Sequence, residues 1–406
     1  MKIAVIGAGA GGLFVAGALG KAGLSVTIFD GNEKCGKKLY ITGKGRCNVT
    51  NDCDRETFIS NVVHGDKFML SPIAKFTPQD CMAYFEEHGL KLKTERGNRV
   101  FPASDKASDV TKVLERECEK CEICLNEKVL AVVKKEDGFA VKTERGAYIF
   151  DKVIIATGGK SYSATGSEGD GYKFAKTLGH NVIPPRPALV PIKLKEKVSS
   201  MQGLPLKNVT LHAEADGRRY DFFGEMLFTD IGITGPIVLT LSSYLSRANK
   251  VANLYLDFKP ALNEEQLDAR LLREFDEDTN KNLFNLLRRL LPKNFVETFL
   301  HKVSLSGERK VNSVTLQERE RIVKTLKCFP LTYDGLYPID AGIVTSGGVD
   351  LKEVSPSSME SRLHKGLYFV GEVLDVDCLT GGFNLQATFA MANACANAII
   401  KEVKNV

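Results

Sequence analysis

A glycine run near the start of the chain has the residue types and spacing of a turn that holds a dinucleotide phosphate. Gly7-Ala8-Gly9-Ala10-Gly11-Gly12 follows an apolar segment, Lys2–Ile6, and opens a helix of small and apolar residues. Its glycines permit a tight bend, let backbone N–H groups reach a pyrophosphate, and let the helix pack closely on the strand. Asp30, with Gly31 beside it, ends the next predicted strand, where a carboxylate can accept hydrogen bonds from both ribose hydroxyls. The alternative is a structural turn, but the combination predicts a bound adenine dinucleotide.

A long polar loop indicates which dinucleotide to expect. Residues Cys35–Asn48 are punctuated by glycines and carry four cationic side chains. A nicotinamide-binding domain would continue directly into its next helix, whereas this loop can wrap the pyrophosphate and ribitol of a permanently held cofactor. The loop therefore predicts FAD. The alternative is a solvated basic loop in which Arg46 and Asn48 only order the backbone.

The opposite end of the chain offers a second set of polar groups. Leu367–Val373 is an apolar segment in which one carboxylate, Glu372, directly follows Gly371. A loop over Asp375–Asn384 comes next, and a helix begins at about Leu385. A carboxylate at the end of a buried strand can accept ribitol hydroxyls, and the helix amino terminus would face the flavin N1–C2=O edge, where negative charge develops on reduction. The alternative is a surface loop with a helix cap.

The ten cysteines and six histidines show no metal-binding pattern. Cys118, Cys121 and Cys124 have a spacing found in iron–sulfur proteins, but no fourth cysteine follows at a short offset, so we interpret them as packed or surface thiols. Cys47 lacks the Cys-x-x-Cys partner that a dithiol mechanism needs. The scattered histidines fit neither a zinc site nor a Ser–His–Asp set, so we expect no metal.

Composition sets the outer bounds. The 406 residues, 43% of them hydrophobic and 26% charged, are enough for two or three globular domains. A net charge of +5 over this length does not indicate nucleic-acid binding. No apolar run approaches the roughly 20 residues of a membrane span. Met1–Ile6 lacks a signal-peptide pattern, so we expect a cytoplasmic protein. We also expect a monomer or homodimer that acts on a small-molecule substrate, with neither a nucleic-acid nor a membrane partner.

The order of elements predicts an α/β fold with parallel strands around the glycine turn. Three prolines within Pro184–Pro187 indicate a domain crossing. Antiparallel strands follow them, then Asn263–Glu318 has helical spacing, and strands return from Tyr337. The expected division is a discontinuous FAD-binding domain (1–185 and 336–406), a β-rich middle domain (186–260 and 310–335) and a helical insert (261–309).

Longer motifs resemble a known group of flavoproteins. Gly7–Gly12, Ile154–Gly159 and Gly371–Val373 resemble the two-dinucleotide-fold superfamily, nearest its fumarate-reductase and ketosteroid-dehydrogenase branch. Gly43–Asn51 and Thr165–Tyr172 are more specifically similar to the BaiN/YhiN-like flavoproteins, and this similarity runs the length of the chain. The resemblance implies a Rossmann-like FAD domain, discontinuous in sequence, with an inserted antiparallel β-barrel-like domain and a small helical insert.

The resemblance also implies roles for residues at matching positions. The residues expected to bind the cofactor are Gly7, Ala8, Gly9, Ala10, Gly11, Gly12, Asp30, Gly31, Lys38, Gly43, Arg46, Cys47, Asn48, Val129, Ala156, Thr157, Gly158, Gly371, Glu372, Asp375, Gly382, Asn384 and Leu385. Two positions depart from the family's pattern: Asp230 stands where a histidine is usual, and Cys378 where a small residue is usual. Both departures leave the identity of the substrate open.

The leading functional hypothesis is an oxidoreductase in which FAD, reduced transiently by NADH or NADPH, passes hydride to a C=C bond conjugated to a ketone. The resemblance implies a 3-oxo-bile-acid or steroid-like substrate. Tyr162 and Asp230 are candidates for the proton donor. The alternatives are an amine or aminoketone oxidase that makes hydrogen peroxide, and a non-enzymatic flavoprotein or RNA-modification partner that uses flavin structurally.

Overall fold

The computed structural model describes residues 1–277 and 279–404. Its strands, in chain order, are β1 (Lys2–Ile6), β2 (Ser25–Phe29), β3 (Thr50–Asn51), β4 (Val62–His64), β5 (Leu92–Glu95), β6 (Arg99–Pro102), β7 (Glu122–Cys124), β8 (Val129–Lys135), β9 (Gly138–Thr143), β10 (Ala147–Phe150), β11 (Lys152–Ile155), β12 (Val182–Ala188), β13 (Ile192–Leu194), β14 (Pro205–Ala215), β15 (Arg218–Phe228), β16 (Gly232–Thr234), β17 (Val251–Asp257), β18 (Phe329–Leu331), β19 (Tyr333–Leu336), β20 (Val344–Val349), β21 (Leu367–Phe369) and β22 (Asp377–Cys378). The helices are α1 (Ala10–Lys21), α2 (Arg55–Ser60), α3 (Asp66–Lys75), α4 (Pro78–Glu87), α5 (Ala107–Glu117), α6 (Asp170–Thr177), α7 (Pro236–Leu245), α8 (Glu264–Glu277), α9 (Leu283–Leu287), α10 (Lys293–Lys302), α11 (Leu316–Lys327) and α12 (Phe383–Lys404).

The chain divides into two compact units, the first formed by Met1–Ala188 with Pro338–Val406 and the second by Leu189–Tyr337. The first unit is built on a five-stranded sheet in the order β21-β11-β1-β2-β7, and all of its strand pairs are parallel. The predicted parallel βαβ arrangement is therefore confirmed. β1, β11 and β21 are buried apolar segments, as expected for strands that are covered on both faces.

Small residues let two helices pack closely in the first unit. α1 and α12 contact each other, and a Cβ placed on Gly11 would lie 2.9 Å from Cγ2 of Thr388 on α12. Five of the eleven buried residues of α12 are alanine. The predicted helix over Leu385–Lys401 is confirmed, and the structure extends it to Phe383–Lys404.

The proline-rich stretch, which was expected to mark a domain crossing, forms a strand. Pro184, Pro185 and Pro187 lie inside β12, which pairs with β20 in an antiparallel ribbon. The register shifts between Ile183 and Arg186, so the strand accommodates prolines at a bulge in a two-stranded ribbon, where few backbone donors are needed. The division between the units falls after Ala188.

The second unit is built on a seven-stranded sheet in the order β18-β17-β14-β15-β16-β13-β19. Its strand pairs are antiparallel, and β14 and β15 form a long hairpin. Helices α8 to α10 lie within the predicted helical insert (261–309), whereas α11 lies in a range predicted to belong to the β-rich middle domain (310–335). Apolar side chains from all four helices join the strands in one core. The β-barrel-like form of this unit stays a prediction.

Several elements were not predicted from the sequence. α7 reads Pro-Ile-Val-Leu-Thr-Leu-Ser-Ser-Tyr-Leu, and a short apolar run rich in β-branched residues does not distinguish a buried helix from a strand. α3 carries Pro72 in its interior, which ordinarily argues against a helix. Within the described residues, no helix combines the length and apolar character needed to cross a membrane.

A buried histidine joins distant parts of the first unit. Nδ1 of His180 lies 3.0 Å from Oε2 of Glu353, and Nε2 lies 2.9 Å from Oγ of Ser361. No spacing in the sequence predicts this Ser–His–Glu arrangement. Its serine is buried, and Ser361 Oγ also accepts hydrogen bonds from the backbone N–H groups of Leu363 and His364. The hydroxyl is therefore committed to the loop, and the arrangement is structural.

Stability should depend on the protonation of His180. Burial lowers its pKa below the usual 6.5, and Glu353 offsets only part of that effect. As the pH falls below 6.5, the unfolded chain takes up a proton that the folded chain resists, so the free energy of unfolding decreases. In His180→Gln this loss should be smaller, as measured by urea denaturation between pH 7.5 and 5. His301→Gln, at an exposed position on α10, should keep the wild-type slope. An unchanged slope in His180→Gln would contradict the assignment.

Candidate functional site

The carboxyl ends of the parallel strands bring the predicted cofactor residues to one edge of the sheet. Gly7 follows β1, Asp30 follows β2, Ala156 follows β11, and Gly371 lies just after β21. Because parallel strands all end at the same edge, stretches far apart in sequence meet there. Backbone N–H of Ala156 also donates to the carbonyl of Ile6 at 2.9 Å. This is the edge at which open α/β sheets bind ligands.

The glycine turn is closely packed at Gly7 and Gly12 but open at Gly9. A Cβ on Gly7, which has φ of +105°, would lie 2.5 Å from the carbonyl oxygen of Ala156. A Cβ on Gly12 would lie 1.9 Å from the carbonyl oxygen of Gly7. Gly9, the N-cap of α1, has no atom within 4 Å of its Cβ position and, within the described residues, no side-chain cap. The free N–H groups at the start of α1 therefore face open space, as a pyrophosphate site requires.

Asp30 shapes the turn. Its Oδ2 accepts from the backbone N–H of Ala8 at 2.7 Å, and its Oδ1 accepts from the backbone and side-chain nitrogens of Asn32 at 2.8 and 2.9 Å. Its carbonyl accepts from the N–H of Glu127 at 2.9 Å, which brings Val129, at the start of β8, close to the predicted adenosine end. A carboxylate retains lone pairs beyond these bonds, so ribose contacts remain compatible with this geometry.

A four-residue polar cluster joins loops from distant parts of the first unit. Nζ of Lys38 donates to Oε2 of Glu372 and to Oγ of Ser161, each at 2.8 Å. Oε1 of Glu372 accepts from Oγ of Ser161 at 3.0 Å and from the N–H of Thr345 at 2.8 Å. Lys38 and Glu372 were predicted site residues, whereas Ser161 and Thr345 were missed. Ser161 directly follows the Ala156–Lys160 stretch, so proximity to a recognised motif was the available signal.

Glu372 is ionised in this cluster. Burial would raise its pKa, but the charge and hydrogen bond of Lys38 and the N–H of Thr345 lower it below the usual value. The side chains of Lys38 and Glu372 keep only 23% and 19% of their surface exposed. The pair is therefore screened less by water than an ordinary surface ion pair.

The loop that leads into α12 is ordered by its own side chains. Oδ1 of Asn384 accepts from the N–H of Cys378 at 3.0 Å, and its Nδ2 donates to the carbonyls of Cys378 and Leu379 at 2.9 and 3.1 Å. Gly382 has φ of +99°, and a Cβ there would lie 2.3 Å from the carbonyl oxygen of Thr50. Gly382 therefore lies against the backbone of β3, and Leu385 follows it in the first turn of α12.

Two buried polar atoms test whether these residues fit FAD. Oδ1 of Asn48 and Oγ1 of Thr157 are buried and have no hydrogen-bond partner among the described residues. An unpaired buried polar atom costs about 1–3 kcal/mol. Both atoms belong to predicted cofactor-binding stretches, and Gly9 opens space on the same sheet edge. The residues present therefore fit a large polar ligand such as FAD.

Other predicted residues have partners of their own. Nη1 of Arg46 donates to Oε1 of Glu95 at 2.8 Å and Oδ1 of Asp105 at 3.2 Å, and its guanidinium lies 4.1 Å from the centre of the Phe101 ring. This is the loop-ordering arrangement that the sequence left as an alternative. Asp375 is buried, with Oδ2 3.1 Å from Nε2 of His64. Direct cofactor contacts by Arg46 and Asp375 stay predictions.

The cysteines behave as packed thiols. Cys47 is fully buried, and burial raises the pKa of its thiol to about 12, which disfavours the reactive thiolate. Sγ of Cys118 and Sγ of Cys121 donate to the carbonyls of Leu13 and Ala16 on α1, each at 3.2 Å. In the part of the chain that the structure describes, no group of histidine, cysteine and carboxylate side chains is placed to hold a metal.

The two candidate proton donors lie in different units. Tyr162 is half-buried in the first unit and has φ of +53°, just before a short turn at Ser163–Thr165. Asp230 is exposed in the second unit, where its Oδ1 accepts from Oη of Tyr337 at 3.3 Å. Their role in proton transfer stays a prediction.

Substituting two glycines of the turn should separate packing from binding. In Gly12→Ala, contact with the Gly7 carbonyl should destabilise the deflavinated protein by about 1–3 kcal/mol, as measured by urea denaturation. In Gly9→Ala that stability should be nearly unchanged, because the new methyl enters open space, while flavin affinity measured by fluorescence quenching should fall. Equal flavin affinity in Gly9→Ala and wild type would contradict the pyrophosphate assignment.

A double-mutant cycle should detect the Lys38–Glu372 interaction. Glu372→Gln and Lys38→Met should each lower the free energy of unfolding by about 1.5–3 kcal/mol, because each leaves a largely buried charge without its partner. The double variant should cost less than the sum of the two. Strict additivity in urea denaturation would show that the two side chains do not interact.

Comparisons with known proteins agree with this geometry. Residues 1–398 match the family described as HI0933-like protein Rossmann domain. The chain is 33% identical to a ribosomal RNA dihydrouridine synthase of Escherichia coli over 98% of this chain and 97% of that protein. It is 30% identical to a 3-dehydro-bile acid delta(4,6)-reductase of Clostridium scindens, over 96% of each chain. A solved quinol-fumarate reductase, 15% identical, superposes with a TM-score of 0.50 over 98% of this chain and 70% of that chain, which shows likeness of fold. The resemblance to the BaiN/YhiN-like flavoproteins is thus confirmed, and the chain belongs to the HI0933-like family of Rossmann-type, FAD-binding oxidoreductases.

Proposed function

We propose that this protein is a reductase of carbon–carbon double bonds conjugated to a carbonyl group. FAD, when bound, supplies the hydride for such a reaction. The observation that carries the proposal is full-length similarity to two reductases with different substrates. Formation of dihydrouridine saturates the C5=C6 bond of uracil, which is conjugated to the C4 carbonyl. Reduction of a 3-oxo-bile acid at its 4,6-diene acts on the same functional group.

The first unit supplies the cofactor site in this proposal. The free N–H groups after Gly9 bind the pyrophosphate, and Asp30 binds the adenosine ribose. Asn48 and Thr157 supply the unpaired oxygens that meet polar groups of the cofactor. Glu372, fixed by Lys38, accepts ribitol hydroxyls. Asp30 and Glu372 are held in place by hydrogen bonds within the fold, so little ordering of these two side chains opposes binding.

We infer that the substrate is a uracil base in ribosomal RNA. The E. coli relative that is named for this activity is 33% identical over nearly the whole of both chains. The expectation of no nucleic-acid partner rested on a net charge of +5, and net charge does not report local charge. A 3-oxo steroid-like compound is the second candidate, favoured by the relative from C. scindens. The two substrates share the group to be reduced and differ in size and charge.

The proposed reaction also needs an electron donor and a proton donor. NADH or NADPH is the electron donor, and it binds transiently. Addition across the double bond also needs a proton, for which Tyr162 and Asp230 are the candidates. The exposed Asp230 carboxylate, which is hydrogen-bonded to Tyr337, can relay a proton from water.

Anaerobic flavin spectroscopy tests the proposal. The flavin-loaded protein should lose its visible absorbance on mixing with NADH or NADPH. Unmodified ribosomal RNA should then restore it, and mass spectrometry of the digested RNA should show dihydrouridine. A 3-oxo-4-ene steroid serves as the parallel substrate.

Each result distinguishes the alternatives. Reoxidation by the steroid but not by RNA would replace the RNA substrate with a small molecule. Failure of both substrates, with peroxide formed from an amine in air, would favour the oxidase. A protein that neither bleaches nor reoxidises under any of these conditions would contradict an enzymatic role for the flavin.

A further inference from the structure

The second unit contains a cleft lined by several positive charges. The cleft has a volume of about 230 Å³ and is formed by the start of β14, the end of β17 and the turn between α9 and α10. Its cationic residues are Lys207, Lys259, Arg288 and Arg289. Among the described residues that line it, none is Asp or Glu. The positive charge is therefore concentrated locally, although the protein as a whole is nearly neutral.

Lys259 is the most buried of these four cationic residues. Its backbone N–H donates to Oδ1 of Asp257 at 2.8 Å, and its carbonyl accepts from Nζ of Lys327 at 3.0 Å. Its side chain is half-buried, and its Nζ has no hydrogen bond or ion pair within the described part of the chain. Burial lowers its pKa and the nearby charge of Arg270 lowers it further, while the charge of Glu274 offsets part of this effect. An ammonium in this environment gains more from an anionic ligand than a solvated surface lysine does.

The other cations widen the positive surface. Lys207 and Arg288 are exposed, and Arg289 lies 3.8 Å from Glu277, which neutralises part of its charge. β14 departs from regular pairing between Leu206 and Val209, so the strand bends where it borders the cleft. The cleft thus combines one half-buried cation with a rim of exposed ones, an arrangement suited to a chain of phosphates.

We propose that this cleft binds phosphate groups of the RNA backbone and holds the substrate RNA on the second unit. The inference rests on the proposed function, because it takes RNA to be the substrate. Contacts of this kind position a nucleic acid without reading its sequence. Phe258, Leu290 and Leu291 are buried beneath the cleft, so its accessible lining is mainly polar. A free phosphate or nucleotide offers the same chemistry and is the alternative source.

The test measures binding of the flavin-loaded, full-length protein to a ribosomal RNA transcript over a series of salt concentrations. Lys259→Met and Arg288→Gln should each weaken binding and reduce the slope of log Kd against log salt by about 0.7–0.9, the value of one phosphate contact. Lys302→Gln, an exposed lysine at the far end of α10, is the charge-matched control and should bind as wild type does. Inorganic phosphate, titrated separately, should compete only at concentrations far above that of the RNA.

Measuring the dihydrouridine formed in the same RNA tests the proposed reaction separately from the proposed role of the cleft. Wild-type turnover with unchanged binding and slope in both cleft variants would overturn the cleft and leave the proposed function intact. Loss of phosphate binding without loss of RNA binding would show a small-anion site and overturn the RNA assignment. A wild-type protein that neither binds nor reduces RNA would overturn both.

Discussion

The close approach of backbone to backbone at the β1–α1 turn is the constraint around which the first unit is arranged. No side chain fits between Gly12 and the Gly7 carbonyl, or between Gly7 and the Ala156 carbonyl. The strands β1 and β11 and the start of α1 can therefore converge until amide groups, rather than side chains, form the surface. Asp30 then holds this turn through Ala8, and the cluster around Glu372 borders the same sheet edge. The predicted cofactor site follows from that convergence.

The sequence predicted the parts of this arrangement that depend on local pattern. The glycine spacing, the apolar parallel strands and the lone carboxylate after β21 are all visible without coordinates. The partners that complete the site are not, because they come from tertiary contacts. Nothing in the spacing links Thr345 to Glu372, or Glu95 to Arg46. For the same reason the hydrogen bonds of Arg46 to Glu95 and Asp105 could not be predicted, and its contact with the cofactor stays a prediction.

Errors in the predicted elements have equally specific causes. Prolines usually end regular structure, but β12 pairs only with β20 and is bulged, so it needs fewer backbone donors than a central strand. α7 is short and apolar, and its periodicity fits a strand as well as a helix. Net charge likewise reports nothing local, since the cations that line the cleft of the second unit are offset in the total by acidic residues elsewhere.

The order of the strands in the parallel sheet affects how the protein can fold during its synthesis. β11 lies between β1 and β21, and β21 is separated from β11 by more of the chain than any other neighbour in that sheet. A nascent chain emerging from the ribosome can pair β1, β2, β7 and β11 early. One side of β11 then stays open until Leu367–Phe369 has been synthesised. Glu372 and α12 emerge later still. The predicted flavin site is therefore completed only after Leu367–Phe369 and the residues that follow it have been synthesised, and until then one edge of β11 is unpaired.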